Sequence, residues 1–183
     1  MNLSQIVAES LTHLGYGNDE QAVDDYILRF TSYVNEAVRL IAEKYRKTKT
    51  ETVALDANFK FADTVLERDV MRILYIEDSV GEISFYQKPP RSGIYLCDTA
   101  ETSVSVSYEY YPVILEDRVD VPDLPEHLHG MIHYYVTARS RTGNDRETQS
   151  NAAADYQLFN SYLNKIPDAS ANDSKSATIK NWY

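Results

Sequence analysis

Apolar residues recur at helical spacing towards both ends of the chain and at strand spacing in its middle. Leu3, Val7, Leu11 and Leu14 predict a short helix over 3–14, stopped by Gly15 and Gly17. Asn18 or Asp19 can cap a second helix, with Glu20 and Gln21 in its first turn. Its stripe of Val23, Tyr26, Ile27, Phe30, Tyr33, Val34, Ala37, Leu40, Ile41 and Tyr45 holds a period near 3.6 and carries the helix to about Lys47.

The period changes to two after Thr48. The run 50–55 reads as a strand, 56–58 as a turn, and 59–61 as the start of the return. Val70 to Ile76 is apolar on both faces, which predicts a central strand. Strands are expected at 83–86 and 94–97, separated by the proline loop 88–93. From Thr102 to Tyr111, Val104, Val106, Tyr108 and Tyr110 alternate with Ser103, Ser105, Ser107 and Glu109, so one face should be buried and the other wet. The region predicts an antiparallel module of five or six strands.

An irregular return over 112–125 follows, with Pro112, Pro122 and Pro125 and with Asp123 as a candidate cap. A helix is expected over about 126–142, with Leu128, Met131, Ile132, Tyr135, Val136 and Arg139 on one side. Gly143-Asn144-Asp145 breaks it. A last helix over 146–165 has the stripe Ala153, Tyr156, Phe159, Leu163 and Ile166. The expected class is α+β: an antiparallel bundle body of about four helices with an inserted antiparallel β module and an extended C-terminal tail. Residues 1–49 and 122–166 form the body, 50–121 the insertion and 167–183 the tail.

Composition narrows the function. The 183 residues are 43% apolar and 25% charged, ordinary for a globular chain. The net charge is −10 and the basic residues are scattered apart from the run 44–49. That argues against gripping nucleic acid, which needs clustered Lys and Arg, and suits a wall that repels it. The basic run meets the helix dipole at a C-terminal end. The single Cys97 rules out a disulfide within the chain and reads as a small apolar strand residue. No run is apolar for the ~18 residues of a membrane helix, and the N-terminus lacks the basic region of a secretory signal, so synthesis in the cytoplasm is expected. Tyr is frequent, at 15 residues, and suits half-buried interfaces.

Three groups invite a chemical reading. His127, His129 and His133 include an i, i+4 pair, but no HExxH or third ligand accompanies them, so they read as solvent-facing or interface histidines and no metal is expected. The acids Asp24-Asp25, Glu116-Asp117 and Asp120 could form a general acid and base but read as solvated surface. Phosphate-loop, nucleophile-elbow and dinucleotide glycine motifs are missing, so no catalytic residue and no cofactor are assigned. The tail is the third. Residues 168–180 are too polar to order themselves, yet Ile179, Trp182 and Tyr183 follow, including the chain's only Trp. Trp and Tyr anchor interfaces, so this segment reads as a docking arm in preference to a frayed terminus.

Taken together, Tyr33-Val34-Asn35-Glu36-Ala37-Val38-Arg39-Leu40-Ile41-Ala42, the run Thr50-Glu51-Thr52-Val53-Ala54-Leu55-Asp56 and Val121-Pro122-Asp123-Leu124-Pro125-Glu126-His127-Leu128-His129 carry a resemblance. Over about residues 20–165 the chain resembles the head-to-tail adaptor (connector, neck) proteins of tailed bacteriophages. The resemblance implies a non-enzymatic virion subunit at the neck. It implies a homo-oligomeric ring, of about twelve copies, under the portal protein. By the same resemblance, DNA would pass through the lumen without sequence-specific binding, and the next neck or tail-terminator protein would dock on the ring. No membrane is implied. Ile179, Trp182 and Tyr183, with Lys175 and Lys180, would contact the portal or a neighbouring copy. The β module, of about 60 residues and longer than in short family members, would face the next component or an adjacent subunit.

Other functions are compatible with the residues. One is a tail-completion or other neck protein. A small cell-wall hydrolase and a carbohydrate-binding module built on the β region are the others.

Overall fold

In a computed structural model, residues 1–17, 19–87, 93–96, 99–141 and 146–167 are described. The class is α+β, as the alternation of periods predicts. The chain divides into two compact units, one of residues 1–45 and 112–167, the other of residues 46–111.

The first unit is helical. Helix α1 spans Leu3–His13 and opens with a capping box: Asn2 Oδ1 accepts from the Gln5 N–H, and Gln5 Oε1 accepts from the Asn2 N–H, both at 2.9 Å. Gly15, at φ +79°, ends it, and the Tyr16 N–H reaches back to the Leu11 carbonyl at 2.9 Å. Asp19 caps α2, Glu20–Tyr45, by accepting from the Ala22 N–H at 2.8 Å. Its buried side is Val23, Ile27, Phe30, Val34, Ala37 and Ile41 of the predicted stripe together with Val38 and Ala42, while Tyr26, Tyr33, Leu40 and Tyr45 are half-buried.

The helix expected over 126–142 is interrupted. Residues Glu126–His129 form α3 and Ile132–Ser140 form α4, with Gly130 and Met131 in a tight turn between them. Gly is the poorest non-proline helix former and lets the chain depart from the α ladder here. Pro125, not Asp123, occupies the N-cap of α3. Helix α4 has no polar side. It buries Ile132, His133, Tyr135, Val136 and Thr137 because α1, α2 and α5 all pack on it, while Arg139 lies exposed. Helix α5, Arg146–Leu163, buries Asp155 and Phe159, with Ile166 beyond its end. The expected stripe is therefore rotated: Ala153 and Tyr156 are exposed, and a charged residue takes the inner position.

The second unit is a β module with six strands among the described residues. Strands β1 (Thr48–Ala54), β6 (Ser103–Tyr110) and β3 (Val70–Glu77) form one antiparallel sheet in that order. Strands β2 (Lys60–Phe61), β5 (Ile94–Leu96) and β4 (Phe85–Gln87) form another. Val53, Phe61, Ile76, Ile94, Val104, Val106 and Tyr108 meet in one core.

Two strand expectations are corrected. Strand β3 lies at a sheet edge despite its apolar run. Register shifts between Val70 and Arg72 and between Ile73 and Tyr75 bend it, and of its side chains only Ile76 is buried. The centre belongs to β6, whose second face is not wet. Ser107 and Glu109 are buried there because their partners cover them: Thr50 Oγ1 lies 2.6 Å from Ser107 Oγ, and Arg72 pairs with Glu109 at 3.0 Å.

Candidate functional site

The sequence signature has a structural job within the helical unit. Asn35, on α2, clamps the return segment in both directions: its Nδ2 donates to the Leu115 carbonyl at 2.9 Å, and its Oδ1 accepts from the Leu115 N–H at 2.8 Å. Leu115 is thereby held in the helical core. Glu36 pairs with Arg139 at 3.4 Å. Ala37 is fully buried. From the second signature segment, the Leu124 carbonyl accepts from His129 Nε2 at 3.0 Å. The return also closes α1, because the Leu3 N–H donates to the Asp120 carbonyl and the Ser4 N–H to the Arg118 carbonyl.

Of the acids considered for catalysis, Asp24 and Asp120 hold this segment, while Asp25 accepts from Gln21 on its own helix. Asp24 pairs with Arg118. Asp120 Oδ2 accepts from the N–H groups of Glu116 and Asp117, both at 2.8 Å, and these bonds hold its carboxyl below the usual range.

The histidines, expected at solvent or at an interface, divide within this unit. His127 is exposed, but His129 and His133 are buried. The broken helix sends them to different partners. His129 Nδ1 lies 3.0 Å from the Met1 amine, its other nitrogen being taken by Leu124. His133 lies beside Tyr134, with ring centroids 3.9 Å apart, and its Nδ1 stands 3.6 Å from Glu9 Oε1 with no hydrogen-bond partner among the described residues. Burial pushes both rings below the ordinary histidine pKa. Among the described residues no group of three or more His, Cys, Asp or Glu is arranged to hold a metal.

A buried ionic cross-link, missed by sequence reasoning, joins three helices. Asp155 on α5 accepts from His13 Nε2 of α1 at 2.9 Å and from Arg141 Nε, just past α4, at 3.1 Å. An acid at the i−4 position from Phe159 on an otherwise polar helix was the available signal. Beside this cross-link, a groove of about 520 Å³ opens between α1, the end of α2, α3, α4 and the end of α5. Its floor is Leu128, Met131, Tyr134 and Ile166, and its rim carries Glu9, His127, Tyr162 and Lys165.

Exposed apolar side chains gather on the return. Val113, Ile114, Val119 and Val121 all project to solvent. Leu28 is 90% exposed and lies one helical turn beyond Asp24, the partner of Arg118.

In the β module, Glu51 collects three partners. The Tyr108 hydroxyl donates to it, Lys49 Nζ lies 3.0 Å away, and the Glu67 N–H donates at 3.1 Å. Burial works against its charge, but these bonds outweigh it and hold the carboxyl low. Lys49, the end of the basic run, is thus a sheet residue paired with two acids.

Lys175, Ile179, Lys180, Trp182 and Tyr183, expected to dock, lie outside the described residues, as do Cys97, the loop 88–92, Asn18 and the break 143–145. No described helix is long and apolar enough to cross a membrane.

No curated protein matches the chain. A family model described as SU10 adaptor protein matches residues 1–180, spanning both the helical unit and the inserted module. With nearly the whole chain matched, the protein belongs to this family of bacteriophage adaptor proteins.

Proposed function

We propose that the chain is the repeating subunit of a ring that sits under the portal at the virion neck, extends the DNA channel and presents a platform for the next neck or tail protein. The observation that carries this reading is the family match over residues 1–180. An adaptor role implies assembly with other neck proteins and a structural, non-enzymatic task.

Physical features support the finer reading. A ring needs two different faces per subunit, so that contacts run head to tail. The exposed apolar return, with Leu28, supplies one candidate face. The net charge of −10 suits a channel wall along which DNA slides without being held. The segment 168–183 is assigned to docking, with Ile179, Trp182 and Tyr183 as anchors and Lys175 and Lys180 beside them, on the portal or a neighbouring copy. The ring is taken to hold about twelve copies, as the resemblance implies.

The test mixes the full chain with the portal of the same phage and separates the products by size. Co-elution that is lost on removal of residues 168–183 supports the reading. Co-elution unaffected by that removal counts against the assignment of the tail, and no association at all counts against the adaptor ring.

A further inference from the structure

The sheets of the β module end in four edge strands, and an open edge is a row of unpaired N–H and C=O groups that another strand can join. Three of these edges are blunted. Among the described residues β2 and β4 are two and three residues long, and β3 is bent by its two register shifts. Strand β1 is different. Its seven residues, Thr48–Ala54, stay in unbroken register with β6 and include neither Pro nor Gly.

The phase of that ladder shows which groups are left over. The Leu55 N–H donates to the Thr102 carbonyl at 2.9 Å, and the Tyr110 N–H to the Lys47 carbonyl at 3.2 Å. In this register Lys49, Glu51 and Val53 carry the bonds to β6. Thr48, Thr50, Thr52 and Ala54 therefore turn their N–H and C=O groups outward, and all four are exposed. No other backbone group among the described residues bonds to them.

We infer that this edge is a docking surface for a second copy of the chain, with β1 pairing antiparallel to β1 about a two-fold axis at Thr50. Charge complementarity selects both the occupant and the register. The outward groups pair Thr50 with Thr50 and Thr48 with Thr52, and each pair exchanges two hydrogen bonds. Between them, Lys49 of each copy falls opposite Glu51 of the other. These are the close, non-hydrogen-bonded positions, where unlike charges stabilise a sheet. Moving the axis by one residue sets Lys49 against Lys49 or Glu51 against Glu51, and like charges directly opposite are destabilising. Within one copy Lys49 Nζ already lies 3.0 Å from Glu51 Oε1 and also pairs with Glu67, so the axis joins two such clusters. On the other face Thr meets Thr, a favourable cross-strand pair. The product is one sheet in the order β3-β6-β1-β1-β6-β3. Such a contact closes at two copies and lies wholly in the β module, so it stands or falls apart from the ring proposed above.

Sedimentation velocity of the full chain across a dilution series tests this, and the expected result is a monomer–dimer equilibrium. Thr50→Pro deletes one outward N–H from each edge, a change that an edge strand tolerates. It should abolish the dimer, with melting temperature verifying the fold. Thr50→Ala loses the hydroxyl that lies against Ser107 but keeps the N–H, and should still dimerise. A second measurement reads the register without a proline. With Cys97→Ser removing the only native thiol, Thr50→Cys should form a disulfide-linked dimer on mild oxidation, because directly opposed Cα atoms lie about 5.5 Å apart. Thr52→Cys should not, since its two copies are offset by about 13 Å along the strands. A chain that is monomeric at every concentration overturns the inference. So does a dimer that persists in folded Thr50→Pro, and so does cross-linking through position 52 that equals or exceeds that through position 50.

Discussion

His13 Nε2 lies 2.9 Å from Asp155 Oδ1, tying the end of α1 to the middle of α5 across 142 positions of sequence. The same carboxylate holds Arg141 with its other oxygen. Asp155→Ala removes the acceptor for both and leaves them half-buried without a partner. The expected cost is about 1–3 kcal/mol, a fall in melting temperature of several degrees for a chain of this size. Asp155→Asn keeps one acceptor and should cost less. Thermal melts by circular dichroism check both, and an unchanged Asp155→Ala melt would show that the cross-link contributes nothing to stability.

Phe159 is the apolar anchor of α5 and is fully buried against Tyr135, with ring centroids 5.0 Å apart. Few other α5 side chains reach the core. Phe159→Ala is expected to cost about 3–5 kcal/mol and to raise amide exchange most in α5. Exchange mass spectrometry resolves the effect by segment. Loss confined to the β module would contradict the packing described.

Acid should loosen the helical unit. Burial depresses the pKa of His129 and His133 below the ordinary 6.5. The unfolded chain then binds more protons than the folded one in the interval below about 6.5, so stability rises with pH there and falls on acidification. Asp120, whose carboxyl is held below its ordinary 3.8, acts only in a lower interval. Melting temperature should therefore decline from pH 7 to about pH 5. His133→Phe should flatten part of that slope. A wild-type melt that is level across the interval would refute the burial of these rings.

In the β module, burial and its bond to Glu51 push the Tyr108 hydroxyl up to about 12. Tyrosinate absorbance should show Tyr108 among the late-titrating residues, with Tyr134 and Tyr135, whose hydroxyls burial also raises. Stability should fall as pH rises above the ordinary tyrosine value of 10.0, because the unfolded chain gives up this proton first. Tyr108→Phe removes one of the late steps and is expected to cost about 1 kcal/mol by stripping Glu51 of a partner. A full complement of late tyrosines in that variant would assign the step elsewhere.

The order of elements was legible because burial imposes period on α2 and β6 directly. Strand position was not. The apolar run of β3 reads as central, yet a sheet order depends on pairings between distant segments, and β6 wins the centre through Thr50–Ser107 and Arg72–Glu109. The burial of Ser107 and Glu109 could not be read from one strand, since each is satisfied by a residue more than 30 positions away. For the same reason Asp155 looks like surface until His13 and Arg141 are set beside it. The histidines misled through a helix that Gly130 interrupts, because i, i+4 spacing means one face only in an unbroken helix. The Asn35-Glu36-Ala37 signature was readable as a resemblance, while its work in clamping Leu115 and Arg139 needed the fold.

The adaptor ring is tested most directly by electron microscopy of the full chain mixed with the portal of the same phage. The account predicts a closed ring of about twelve copies seated coaxially on the portal, with an open central channel. A hexamer stacked on tail tube, or a chain that never joins the portal, would contradict it.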